Sequence, residues 1–317
     1  MSGVPLNPRS YDTPETTLSR AVKLGALLGT ASTDKKTLLE AFYRASAAEL
    51  VNASLKLNVS YPTFGPTIED QKMATDVFLS RCSIDKYTSG NFTKVPQILG
   101  FTDQETAYYA KSLQSINVAV TASLEAVDEY GMKRPESLVK AKDVIDSGTG
   151  KLADLALDAV VNTTSDIVFK AQIDQTQKII AAKNGKPVYY YHVSFYTNRS
   201  LHNILFNNSF QGAAHIDDLV YLFYFPAANY STDPTDPTRR NIERVSTMWT
   251  NFAKYGNPTP HWVHDKILNI TWPNSGSSGL SLDIGTELNI GPRPINRFTR
   301  LVQSQSWPHL RKINGCY

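Results

Sequence analysis

The sequence predicts an α/β fold: a mainly parallel sheet with flanking helices. Two observations carry this. Strand-like segments alternate with long helical ones, the order that layered α/β domains impose. And 41% apolar residues over 317 positions suffice for a sizeable core, in one large domain or two modest ones.

The elements follow in order. Residues 14–29 (PETTLSRAVKLGALLG) predict a helix, with Leu18, Ala21, Val22 and Leu28 at three-to-four spacing and Gly29 as its stop. A second helix is expected over 34–51, with Asp34 as N-cap and Leu38, Leu39, Phe42 and Leu50 on one face. Residues 52–67, with proline and glycine, read as surface loop. KVPQILGFT (94–102) reads as a short buried strand ending at Gly100. Helices are expected over 104–124 and 135–145, then a long helical stretch over 152–182 broken near Asn162. The aromatic and β-branched residues of 186–196 favour a strand. Residues 237–255 predict a helix, with Pro237 in its first turn and Gly256 past its end. A short strand over 280–284 and a helix over 294–305 close the chain.

Net charge is +3, and no run of Lys or Arg exceeds two residues, so no nucleic-acid or anionic-membrane partner is expected. The apolar run 219–225 is far shorter than the ~20 residues of a spanning helix. Cys82 and Cys316 are the only cysteines; they exclude a disulfide scaffold and leave pairing or two separate thiols open.

The pattern N-x-S/T stands at Asn52, Asn58, Asn91, Asn162, Asn198, Asn207, Asn229 and Asn269. Chance gives about three such sites in a chain of this composition. The excess implies glycosylation on the secretory route. Yet the first residues, MSGVPLNPRS, have neither the basic nor the apolar region of a signal peptide. The expectation is that further residues precede Met1 in the intact protein.

The candidate chemistry centres on QGAAHIDDLVYLFYF (211–225). Gly212, Ala213 and Ala214 allow a close approach to His215, and Asp217 and Asp218 are expected to cap the helix that follows. An imidazole base needs a carboxylate to fix its tautomer. GFTDQETAY (100–108) offers Asp103 and Glu105. His192, His202, His261, His264 and His309 read as packed or solvated rings. The spacing His261-x-x-His264 carries no glutamate, and the phosphate-loop look-alike at 148–151 lacks its Ser/Thr, so no metal and no cofactor is expected.

The histidine segment resembles that of type-B carboxylesterases, the cholinesterase-like branch of the α/β-hydrolases. So do Gly100 with a glutamate five residues later, MWTNFAKYGNP (248–258) and LDIGTELNIGPRP (282–294). The resemblance covers residue 94 to the end, with MSGVPLNP similar to a strand end near the family's nucleophile helix. It implies the C-terminal part of an α/β-hydrolase fold, with Glu105 orienting His215 in the order serine, acid, histidine. Where the family usually has glycine after that glutamate, this chain has Thr106.

The nucleophile is missing. No G-x-S-x-G turn exists; SGSSG (275–279) has the wrong spacing, and no HGG segment offers oxyanion donors. The 317 residues are therefore expected to be a partial carboxylesterase domain, not competent alone and with an unpaired strand edge that favours aggregation. The intact parent is expected to be secreted, similar to insect secreted esterases, and to hydrolyse a small carboxylic ester. A non-catalytic adhesion or binding relative is the alternative, and pairing with a separate N-terminal half is a third reading.

Overall fold

The computed structural model describes residues 3–4, 6, 12–57, 63–69, 76–263 and 265–310. They fall into two compact units, Pro5–Lys86 with Leu310–Tyr317, and Met1–Val4 with Tyr87–His309.

The smaller unit is helical. Thr13 caps α1 (Pro14–Leu27) by accepting the Thr16 N–H at 3.2 Å. Asp34 caps α2 (Lys35–Arg44), accepting from Thr37 N–H at 2.8 Å. The helix expected over 34–51 is in fact two. Ser46 accepts the Glu49 N–H, and the Glu49 carboxylate reaches back to the Ser46 N–H at 2.8 Å, a capping box that starts α3 (Ala47–Leu55). Asn52 accordingly lies in a helix, not a loop. Leu38 and Ala41 form the buried side of α2, whereas Leu39 is 52% exposed. Cys82 is disulfide-bonded. Cys316, Asn58 and His264 lie outside the described residues.

The main part of the larger unit begins at Tyr87, within α4 (Ser83–Ser89). Its sheet has the order β1-β2-β3-β4, formed by Gln97–Thr102, Val188–Val193, Ser281–Ile284 and Leu288–Gly291. β1 and β3 flank β2 in parallel, and β4 returns antiparallel to β3. The fold is α/β with a mostly parallel sheet and flanking helices.

The three tyrosines of β2 show why the strand forms here. Alternation sends Tyr189 and Tyr191 to one face, against Trp249 and Phe252 of α10 (Pro237–Tyr255) and against Trp272. Tyr190 points to the other face, where its hydroxyl donates to buried Asp174 at 3.1 Å. Both faces are thus covered, as parallel strands require. β1 does not stop at Gly100. Gly100 pairs with Tyr191, and a Cβ there would stand 2.3 Å from that ring. The glycine makes room for an aromatic rather than ending the strand.

Between β1 and β2 run a one-turn 3-10 helix (Glu105–Tyr109), α5 (Leu113–Glu129), α6 (Glu136–Asp146), α7 (Leu157–Ser165) and α8 (Ala171–Lys183). The break expected near Asn162 is absent. Thr163 and Thr164 donate to carbonyls one turn back, at 2.7 and 2.9 Å, and the helix continues. It changes pitch instead: Asp166–Lys170 is a π-helical stretch joining α7 to α8. α9 (Leu201–Phe206) follows β2, and α11 (Arg297–Ser306) follows β4. No helix among the described residues is long and apolar enough to cross a membrane.

Candidate functional site

β1 ends at Thr102, and the chain turns at once into the 3-10 helix that begins at Glu105. This folds Glu105 back under its own strand, where its Oε1 accepts the Thr102 N–H at 2.7 Å. The other oxygen, Oε2, lies 2.7 Å from Nδ1 of His215, and Glu105 is fully buried. The backbones are stitched as well. His215 N–H donates to the Glu105 carbonyl at 3.0 Å, and Gln104 N–H to Ala213 at 2.9 Å. A Cβ on Gly212 would meet the tip of the Gln104 side chain, 1.5 Å from its oxygen, which would have to swing aside.

A carboxylate only accepts, so Nδ1 of His215 carries the ring proton. Nε2 is left as the basic atom and has no hydrogen-bond partner among the described residues. Phe169, from the π-helical stretch, and Tyr108 lie against the ring, with centroids at 4.9 and 5.9 Å. Burial opposes a charge on His215, but the hydrogen bond and charge of Glu105, with the charge of Asp218, outweigh it. Its pKa stands above the ordinary 6.5. Such a ring can take a proton at Nε2, hold it against a buried carboxylate and return it.

Thr106 fits this site without strain. No left-handed backbone is needed there. Its side chain is buried, and Oγ1 meets Val161 O, Thr164 Oγ1 and Ser165 Oγ at 3.0, 2.6 and 3.0 Å. The acid loop is thereby fastened to the end of α7.

The structure separates Asp103 from His215. Asp103 lines a cavity of about 690 Å³ with His192, Asp283 and Lys170, and its carboxylate is 3.9 Å from His192 Nε2. Asp217 and Asp218 do not cap the helix after them. The segment Asp217–Tyr221 is a single 3-10 turn with no side-chain cap, and both acids are drawn inward by buried donors. Tyr191 donates to Asp218 at 3.0 Å, and Nδ1 of fully buried His202 lies 2.7 Å from Asp217. Sequence reasoning missed the His202–Asp217 pair, and it missed Phe169 and Tyr108. The doubled acid was the available signal for the former; nothing in the sequence marked the latter.

Ser275 is buried and committed elsewhere: its hydroxyl donates to Val188 O at 2.7 Å and accepts from Gln177 at 2.8 Å. No serine hydroxyl among the described residues bonds His215. No group of three or more metal-ligating side chains occurs among them either. The seven described sequon asparagines, at positions 52, 91, 162, 198, 207, 229 and 269, are all exposed.

A profile of the carboxylesterase family matches residues 1–303. The chain belongs to the carboxylesterase family. As a carboxylesterase-family chain it is 27% identical over 204 residues to a juvenile hormone esterase of Tribolium castaneum, covering 58% of this chain and 34% of that protein. It is 24% identical over 275 residues to a carboxylic ester hydrolase of Bombus ignitus, covering 81% and 48%. Its fold is similar to the crystal structure of juvenile hormone esterase from Manduca sexta with OTFP covalently attached. The TM-score is 0.71 at 19% identity, over 98% of this chain and 59% of that one. This carboxylesterase-family chain therefore spans about a third to a half of the two relatives in sequence.

Proposed function

We propose that this chain supplies the general base and its orienting acid to a carboxylic ester hydrolase of the Ser–Glu–His type. The hydrogen bond of 2.7 Å between Glu105 and His215, with Nε2 left open, carries the reading. His215 Nε2 takes the proton of a serine as it attacks the ester carbonyl. The resulting imidazolium, held by Glu105, then gives that proton to the leaving alcohol.

The serine and the oxyanion donors are assigned to polypeptide outside these 317 residues, which contain no G-x-S-x-G. The chain is thus a partial domain, inactive by itself. Small carboxylic esters are the substrate class, and the kinship with juvenile hormone esterases makes their esters one set to try. The sequons at Asn52, Asn58, Asn91, Asn162, Asn198, Asn207, Asn229 and Asn269 are read as glycan acceptors of a secreted parent. Exposure of the seven described asparagines supports this. Thr164 has a second duty at Thr106, so the Asn162 sequon has a structural reason of its own.

The test joins the segment encoded upstream of Met1 and measures turnover of a small aryl ester. Expected are activity in the joined protein and a loss of about 10³-fold or more in His215→Ala. A non-serine at the upstream nucleophile turn supports the binding-protein alternative. Near-normal turnover in His215→Ala sinks the assignment of the base.

A further inference from the structure

We propose that the buried His202–Asp217 ion pair is the positioning device for the base, holding the turn that presents His215. The word "base" rests on the function proposed above; the geometry of the turn does not.

Ala214 to Asp217 form a β-turn, closed by the Asp217 N–H on the Ala214 carbonyl at 3.1 Å. His215 is its second residue and Ile216 its third. Ile216 has φ 72° and ψ −6°, the third-position angles of a type II turn, where glycine or asparagine is preferred. A β-branched residue in that region is strained. The turn therefore needs something to hold it.

Asp217 provides the hold. Its Oδ2 accepts the Ala214 N–H at 2.7 Å, so it grips the turn from the side chain as well as the backbone. Its Oδ1 accepts the His202 N–H at 3.1 Å, and Nδ1 of His202 lies 2.7 Å from Oδ2. The other ring nitrogen, Nε2, lies 2.9 Å from the Phe210 carbonyl. Both acceptors lack protons, so His202 carries two and is a buried cation. Burial opposes that charge, but the bond and charge of Asp217 and the Phe210 carbonyl outweigh it, and the His202 pKa is raised.

A buried charge pair stands only while both partners stay in place. Ile216 cannot relax to an unstrained angle without moving Asp217, and Asp217 cannot move without stranding His202. Neither residue touches Nε2 of His215; both act through the backbone that carries it. The acidic groups that bear on His215 itself are Glu105 and Asp218.

The test is 15N-histidine NMR of the 317-residue chain. Expected in Asp217→Asn is a fall of about half a pH unit or more in the His215 midpoint, toward free histidine. His202→Gln should act in the same direction. Adding Ile216→Gly to Asp217→Asn should restore the midpoint, because glycine holds the turn unaided. Unchanged midpoints in both single variants overturn the proposal, and so does a lowered midpoint that Ile216→Gly fails to restore. If Asp217→Asn unfolds the chain, the double variant decides: a folded double variant with the native midpoint supports the proposal, and one that folds no better overturns it. If the joined protein proves inactive while these shifts persist, the hydrolase reading fails and the positioning of His215 stands.

Discussion

His215 is tied to Glu105 twice, by ring Nδ1 on the carboxylate at 2.7 Å and by its backbone N–H on the Glu105 carbonyl at 3.0 Å. The second carboxylate oxygen is engaged by the Thr102 N–H at 2.7 Å. The acid thus faces two donors with two acceptors, and a neutral amide cannot replace it.

Glu105→Gln must turn its NH2 toward one of those donors. If it faces His215, the ring has to accept at Nδ1 and carry its proton on Nε2, the wrong tautomer for a base. The expected outcome is a switch of the His215 tautomer, read by 15N chemical shifts at mildly alkaline pH. In a joined enzyme, kcat should fall about 10³–10⁴-fold. Near-native kcat in the joined variant would refute the role given to Glu105.

The pH dependence of stability has a definite sign. His215 and His202 both have folded pKa values above the ordinary 6.5. Each contribution is complete below 6.5 and is lost as pH rises through the raised value. The gap in melting temperature between the native chain and His202→Gln should be widest below pH 6.5 and should narrow as the pH rises through the raised value. A gap independent of pH would mean that His202 is uncharged.

Thr106→Val removes a buried hydroxyl whose three partners each keep another hydrogen bond: Thr164 Oγ1 donates to Val160 O, Val161 O accepts from Thr164, and Ser165 Oγ accepts the Thr106 N–H. It should destabilise by about 0.5–1.5 kcal/mol in urea unfolding. Thr106→Gly should be no better, because the backbone there does not require glycine.

Gly100→Ala places a methyl group into the Tyr191 ring. The cost should be about 1–3 kcal/mol, typical of overpacking. Tyr191→Leu in the same chain should make the two changes clearly less than additive. Additive costs would show that the ring does not lie on Gly100.

Expression through an insect secretory pathway should yield a heterogeneous product that an N-glycanase collapses to the polypeptide mass. Peptide mapping should then find modified asparagine at the exposed sequons. Unmodified asparagine throughout would remove the secretory reading.

Much of this was legible in the sequence. Glu105 and His215 were both singled out, and the structure brings their side chains to 2.7 Å; the helix Pro237–Tyr255 was bounded correctly by its proline and glycine. The split at Ser46 was readable too, because Ser46-Ala-Ala-Glu49 is the written form of a capping box. His202 was not readable. Its partner is 15 residues away across an irregular loop, a distance with no periodicity to betray contact. Asp217 and Asp218 were misread because acids ahead of a helix usually cap it; here buried donors compete for them more strongly. Gly100 looked like a stop because its reason for being glycine lies on the neighbouring strand.

The π-helical stretch Asp166–Lys170 fixes the rotational phase between two anchored helices. On its near side, Thr164 and Ser165 are locked to Thr106. On its far side, Asp174 is locked to Arg293 at 2.6 Å, and Gln177 to Ser275 at 2.8 Å. Deleting one residue between them would rotate one set of anchors by about 100° against the other. Residue number in this stretch is therefore constrained apart from residue identity, and homologous chains should keep its length.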